Sequence, residues 1–350
     1  MKFSSILKYF SKMKLGVNQK VLKEVGIDLG TANTVVYVRG EGIQIDEPTY
    51  VAINIKTDEI DSVGEKAREV VGRTALHTKI VRPLKNGVIS DYEITEKMLT
   101  SFLSKIKKDK FQSARVVICI PSGITQVERR AVVEVVKDSG AKEVYLIEEP
   151  VAAAIGCGID IFQPKGYLIV DIGGGTTEIG VTSLGGLVLC KSIKVAGDKF
   201  DKSIIEYVRQ NYNLFIGERT AENIKIEIGT AIKLDSELKM KVKGRDNSGL
   251  LSTIELGSEG VRIAIKEPLK EIVSAIKSVL ENMPPDLASD IVDNGVIITG
   301  GGALIRGLDV YLSDIIKLPV KIADEPLLSV AYGTSQVLDE PELLKLITNA

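Results

Sequence analysis

The sequence predicts an α/β protein built as two related halves. Short β-rich runs alternate with helical ones along most of the chain, and a strand–glycine turn–strand motif occurs twice. The length of 350 residues suits two domains at roughly 100–200 residues each. With 44% hydrophobic and 26% charged residues, the composition is that of a globular chain with a core. The formal charge of −2 leaves no cationic excess for a phosphate backbone, which argues against nucleic-acid binding. No run reaches the ~18 uninterrupted apolar residues needed to span a bilayer. Cys119, Cys157 and Cys190 stand far apart in apolar stretches and read as reduced core residues of a cytosolic protein. His77 is the single histidine and reads as a surface residue, so zinc and haem chemistry lack ligands.

From the N-terminus, Val25–Ile27 and Val35–Val38 are β-branched runs on either side of a glycine turn. Val51–Ile55 opens a stretch, 49–79, that breaks the alternation and reads as a small inserted subdomain. A helix over Glu96–Lys107 and a strand over Val116–Ile120 follow. The next helix, Thr125–Asp138, has Thr125 in N-cap position and Gly140 where a C′ glycine belongs. Val144–Ile147 is a strand that runs into a helix, Pro150–Ile155, with proline in its first turn. Leu168–Val170, Ile179–Thr182 and Leu187–Ile193 make a second β-rich block, followed by helices Lys199–Tyr212 and Ala221–Ile228. Residues from about 199 to 258 read as a second insert, whose Lys233–Glu255 stretch is charged and β-leaning. Gly260–Asn282 reads as one long helix, Val296–Thr299 as a buried strand, and Ala303–Ile315 and Leu327–Leu338 as helices. Gln163-Pro164-Lys165-Gly166 interrupts the pattern and marks a boundary. The expected division is a leader over 1–20, a first domain over 21–162 plus about 326–350, and a second over 163–325.

The repeated motif carries the chemistry. Asp28-Leu29-Gly30-Thr31-Ala32-Asn33-Thr34 is a tight turn in which Gly30 lets an anion approach and the amides of Thr31, Ala32 and Asn33 can face phosphate oxygens. Asp171-Ile172-Gly173-Gly174-Gly175-Thr176-Thr177 repeats that design. Either turn alone could be a hairpin that needs positive φ; the matched Asp and Thr in both favour one shared cleft. An Asp at the end of each strand would put carboxylates on opposite walls, a donor set suited to Mg²⁺ with its waters. A third turn, Gly300-Gly301-Gly302, joins a buried strand to a helix and would let a flat ring or ribose lie against backbone. No Walker A lysine and no well-formed GxGxxG unit is present.

The segments DLGTANT, PSGITQVERRA, IEEPVAAAIG, DIGGGTTEI, GERTAENIKIEIG and ITGGGALIRGL are similar to those of the MreB family of bacterial actins. That family lies within the actin, Hsp70 and sugar-kinase superfamily, and the resemblance covers residues 24–338. It implies two RNase H-like, actin-like ATPase domains, each with a smaller inserted subdomain, and a nucleotide cleft between them. It further implies ATP and ADP as ligands with Mg²⁺, and homopolymer filaments lining the membrane. On this resemblance Asp28 and Asp171 match the magnesium-water ligands. Thr31, Ala32, Asn33, Gly173, Gly174 and Gly175 match the phosphate-cradling amides. Glu149 matches the acid that positions the attacking water, and Thr176 its hydroxyl partner. Glu222 and Lys225 match a helix pair contacting ribose or adenine, and Gly300, Gly301 and Gly302 the adenosine turn. The plainer readings are a helix-terminal charge for Glu149 and an i,i+3 surface pair for Glu222 and Lys225. Ala196-Gly197-Asp198 departs from the commoner double glycine without consequence for the chemistry.

The N-terminal MKFSSILKYFSKMK places Phe3, Ile6, Leu7, Phe10 and Met13 on one face of a helix and lysines and serines opposite. This is the pattern of an interfacial anchor on an anionic membrane, and relatives often carry such a leader. A disordered or core-docked extension is the alternative. The loop Asp91-Tyr92-Glu93-Ile94 carries acids where many relatives are hydrophobic, so membrane contact would rest mainly on the leader. The expected location is cytoplasmic, peripheral at the inner face of the cell membrane, with other cell-shape proteins or paralogues as further partners. Competing functions are an Hsp70-type chaperone, which would need a substrate domain beyond Ala350, and a small-molecule kinase. A nucleotide-binding interaction protein with little turnover is a third.

Overall fold

The computed structural model describes residues 23–73, 77–106 and 114–349. The anchor face assigned to Phe3, Ile6, Leu7, Phe10 and Met13 lies outside the described residues.

Two larger sheets share one design. In the first, Glu24–Leu29, Asn33–Val38 and Gly42–Pro48 form an antiparallel meander. Arg115–Ile120 and Glu143–Glu148 extend it in parallel beyond Glu24–Leu29, and Thr348–Asn349 closes that edge. In the second, Tyr167–Ile172, Thr177–Ser183 and Gly186–Ile193 form the meander, with Val296–Thr299 and Val320–Ile322 added in parallel. The burial patterns explain the order. Thr177–Ser183 is buried at every position, as an inner strand covered on both faces must be. Gly186–Ile193 alternates exposed and half-buried residues and takes the edge. Two smaller three-stranded sheets stand apart from these. One has Val51–Asn54 between Glu59–Val63 and Thr78–Val81; the other has Lys239–Asp246 between Leu214–Phe215 and Leu251–Gly257.

Local signals explain several boundaries. Thr125 and Glu128 form a reciprocal capping box at the start of Gln126–Asp138, and Gly140 takes φ 111° just beyond its end. The expected single helix over 260–282 is instead two, Ser258–Ala264 and Lys266–Glu281. Pro268 has no N–H for the Ala264 carbonyl, so the first helix stops there and the proline falls in the first turn of the second. The expected helix over 303–315 divides into a 3₁₀ turn, Gly301–Leu304, and Leu308–Ile316, because Gly307 adopts φ 68° between them. Asp91–Ile94 is not a loop. Asp91 accepts from the Ile94 amide at 3.1 Å as the N-cap of Tyr92–Lys105, and the Tyr92 hydroxyl donates to Asp138 at 2.6 Å. Strand Gly42–Pro48 and helix Pro285–Asn294 escape sequence patterning because each buries few side chains.

The two larger sheets meet through a pair of crossed helices, Glu149–Gly156 and Ser329–Asp339. A Cβ on Gly156 would fall 1.8 Å from the Ser329 carbonyl oxygen, and one on Gly333 would fall 1.8 Å from that of Ala152. Ser329–Asp339 presses on the first sheet, where a Cβ on Gly26 would lie 2.5 Å from Thr334 Oγ1. Glu149–Gly156 presses on the second, where a Cβ on Gly180 would lie 2.4 Å from Pro150 Cβ. Val117 and Cys119 of one sheet and Ile169 of the other join Ala152, Ala153, Ala154, Val330 and Val337 in one core.

Gly156→Ala is therefore expected to destabilise the protein by about 1–3 kcal/mol, as an overpacked core does. Gly186→Ala, with nothing within 4 Å of the added atom, is expected to stay within about 0.5 kcal/mol of the parent. Urea unfolding midpoints compare the two; equal shifts would show that the crossing does not depend on backbone contact.

Candidate functional site

Each glycine turn closes on the same hydrogen bond. Gly30 N donates to the Asn33 carbonyl at 3.0 Å, and Gly173 N to the Thr176 carbonyl at 2.9 Å. A Cβ on Gly30 would sit 2.7 Å from the Asn33 oxygen, so the first turn requires glycine there. Thr49 braces this turn: its hydroxyl donates to the Gly30 carbonyl at 2.8 Å, and its amide to that of Ala32 at 2.8 Å.

The fold brings the two turns into contact. Added carbons on Gly174 and Gly175 would lie 2.6 Å from Ala32 Cβ and 2.7 Å from Thr31 Oγ1. Thr31 Oγ1 also accepts from the Gly87 amide at 2.9 Å. Buried Thr176 faces the same residue, with its Cγ2 3.1 Å from where a Cβ of Gly87 would be. Beside the turns opens a cavity of about 660 Å³, lined in part by Ala32, Asn33, Gly174, Glu222 and Lys225.

Carboxylates converge at the strand ends. Burial pushes the Asp28 carboxyl up to about 6, against the Cys119 thiol, which donates to Asp28 Oδ1 at 3.2 Å. Burial, then the nearby charges of Asp28 and Glu178, push Asp171 up to about 8. Glu149 is raised well above the ordinary range, first by burial and then by Glu178, Asp171 and Asp28. Among the described residues no lysine or arginine pairs with Asp28, Asp171 or Glu149. Crowded anions without a cationic partner fit a hard dication. No cluster of three or more His, Cys, Asp or Glu side chains with metal-holding geometry occurs among the described residues.

The remaining sequence-assigned residues lie around this centre. Gly300, at φ 79°, sits against Asp171, where a Cβ would fall 2.3 Å from Oδ1. Gly301 is exposed and Gly302 packs on Ile172, so this turn adjoins Asp171 rather than lining the cavity. Lys225 donates to Asp201 at 2.9 Å and to the Gly197 carbonyl at 3.3 Å, in place of a surface pair with Glu222. Asp201 is nonetheless pushed up to about 6, because burial outweighs that lysine. His77 is exposed.

Sequence patterning missed three participants. Glu178 is fully buried; its carboxylate accepts from the Ser122 amide at 3.1 Å, from the Ser122 hydroxyl and from the Ser192 hydroxyl at 2.5 Å. Its only signal is a charge inside a continuous buried run, Thr177–Ser183. Arg82 donates to Asp198, 116 positions away, and no spacing rule links those two.

The MreB/Mbl protein family model matches residues 22–346. The chain is 49% identical over 324 residues to the cell shape-determining protein Mbl of Bacillus subtilis (strain 168), covering 92% of this chain and 97% of that one. It is 46% identical over 323 residues to the cell shape-determining protein MreB of Escherichia coli (strain K12), covering 90% and 93%. A crystal structure of MreB5 of Spiroplasma citri bound to AMPPNP is similar with a TM-score of 0.89 at 41% identity, over 93% of this chain and 98% of that one. The ADP-bound form gives 0.88 at 42%, over 91% and 96%. A MamK double helical filament gives 0.77 at 21%, over 91% and 99%, and bears on the fold alone.

In protein free of metal and nucleotide, folded Asp171 keeps its proton up to about pH 8, whereas its ordinary value is 3.8. The native state then holds more protons than the unfolded chain across that window, so stability falls as pH rises through it. Asp171→Asn is expected to flatten the fall in thermal midpoint between about pH 6 and 8. An unchanged slope in a folded variant would assign the dependence to other groups.

Proposed function

The chain belongs to the MreB/Mbl family of cell shape-determining actin homologues, and from that premise we propose that it is an ATPase whose cleft takes ATP and ADP with Mg²⁺. The carrying observation is the convergence of two glycine turns on a group of buried and half-buried carboxylates that have no cationic partner among the described residues. The nucleotides named for the two Spiroplasma structures support the ligand class.

Phosphoryl transfer depends on positioning and charge neutralisation more than on covalent chemistry by the protein. Asp28 and Asp171 would hold Mg²⁺ through its waters, and the ion would neutralise charge on the phosphates. The amides of Thr31, Ala32, Asn33, Gly173, Gly174 and Gly175 would hydrogen-bond phosphate oxygens. Glu149 would orient the attacking water, helped by the Thr176 hydroxyl. A half-buried carboxylate crowded by other acids has raised proton affinity, which suits it to receive the water's proton. Glu222 and Lys225 would contact ribose or adenine, with Lys225 held by Asp201, and Gly300, Gly301 and Gly302 would border the adenosine.

Assembly follows from coupling between the halves. We assign 21–162 with about 326–350 to the first domain and 163–325 to the second; the return of the C-terminal residues to the first sheet supports this. Closure of the two around nucleotide would favour head-to-tail contacts, which make filaments when they do not close into a ring. The leader would hold such filaments on anionic lipid through Phe3, Ile6, Leu7, Phe10 and Met13, at the inner face of the cell membrane.

Glu149→Gln is expected to slow phosphate release by about 100-fold or more while leaving nucleotide affinity within a few-fold. Unchanged turnover would remove Glu149 from this role. Sedimentation with Mg²⁺-ATP or ADP, with and without anionic liposomes, tests assembly: the protein should pellet with nucleotide, and a monomer under every condition would sink the filament reading. Deletion of residues 1–14 should abolish lipid co-sedimentation but spare assembly; full lipid binding after deletion would rule out the leader as anchor.

A further inference from the structure

Besides their direct contact, the two glycine turns are joined by a continuous chain of polar contacts through one side chain. Arg82 Nη2 donates to the Thr31 carbonyl in the first turn at 3.1 Å, and Nη1 donates to Asp198 Oδ1 at 3.0 Å. Asp198 lies in the first turn of the helix Gly197–Tyr212 of the other half, and its amide donates to the Gly174 carbonyl in the second turn at 2.8 Å. Gly197 N adds a bond to the Gly173 carbonyl at 3.1 Å. The Tyr50 ring, 5.5 Å from the guanidinium carbon, backs the arginine. Both members line the cavity and are partly desolvated, with side chains 21% and 33% exposed. Such a pair is worth more than an exposed one, although desolvation offsets part of the gain. The planar fork serves the carbonyl and the carboxylate from two separate nitrogens held at a fixed spacing, which a single ammonium nitrogen does not provide.

A second arginine spans the same cleft. Arg219 Nη1 donates to the Glu69 carbonyl at 3.3 Å, at the C-terminus of the helix Glu65–Glu69, where free carbonyls favour a cation. The buried contact of Ser122 with Glu178 also joins the halves, but it leaves nothing exposed to solvent. Separation of the halves at the cavity must break both arginine contacts.

We propose that Arg82 is a positioning residue for nucleotide retention, holding the two glycine turns at their bonded separation by bridging the Thr31 carbonyl to Asp198. The assignment rests on the cleft being the nucleotide site. It predicts that the bridge slows release more than it affects chemistry, since Arg82 acts through the turns.

The test loads the full chain with fluorescent ADP and Mg²⁺ and chases it with excess unlabelled ATP. Arg82→Ala and Asp198→Asn should each release ADP about tenfold faster, and the double variant no faster than either, because all remove the same bridge. Arg82→Lys, which keeps the charge opposite Asp198 but loses the fork, should fall between. The KM for ATP should rise by more than kcat falls, and urea midpoints identify any variant that fails to fold; Arg82→Lys and Asp198→Asn then carry the comparison. Release at the parent rate in folded variants, or effects that multiply in the double variant, would overturn the proposal. A parent protein that never retains ADP would overturn the nucleotide reading, and this assignment with it.

Discussion

The contact on which the rest of the structure depends is the backbone crossing of Glu149–Gly156 with Ser329–Asp339. Gly156 lies against the Ser329 carbonyl and Gly333 against that of Ala152, with no room for a side chain at either point. Because each helix also presses on a different sheet, at Gly26 and at Gly180, the crossing sets the distance between the sheets. The strands that end in Asp28 and Asp171 belong to those sheets, so the separation of the two carboxylates follows from this packing. Close packing of small residues transmits position well, since backbone cannot repack as side chains do.

The same helix links architecture to charge. Glu149 begins it, directly after the strand Glu143–Glu148, and is thereby carried to the two aspartates and Glu178. Gathering four carboxylates, two buried and two half-buried, with no cationic partner among the described residues costs stability in the metal-free protein, seen in the upward shifts of Asp28, Asp171 and Glu149. A binding site differs from a well-compensated core in this respect: its electrostatics are complete only with a ligand. Lys225 with Asp201 and Arg82 with Asp198 show the opposite arrangement a short distance away, where cations are already matched and serve to hold elements together.

Much of this was legible in the residues. The paired Asp–Gly–Thr turns point to a shared cleft because the same Asp and Thr flank both, which an ordinary hairpin does not require. Thr125 in N-cap position located the start of its helix to the residue, because capping is a local interaction that needs no tertiary context. Pro268 and Gly307 are equally visible, yet hydrophobic periodicity runs on past both, so pattern alone predicts unbroken helices there. The short acidic stretch at Asp91 resembles a loop in sequence; its capping bond to Ile94 makes it a helix start.

The sequence by itself determined the fold class, the two turns and the chemical types around them, because these depend on local backbone preference and on periodic burial. Tertiary structure alone decided the partners. Lys225 stands three positions from Glu222 yet bonds Asp201, Arg82 reaches Asp198 across the cleft, and Glu178 is satisfied by Ser122 from the other half. Each of those pairings joins groups distant in sequence, and only the way the sheets and crossed helices pack sets which side chains come within hydrogen-bond reach.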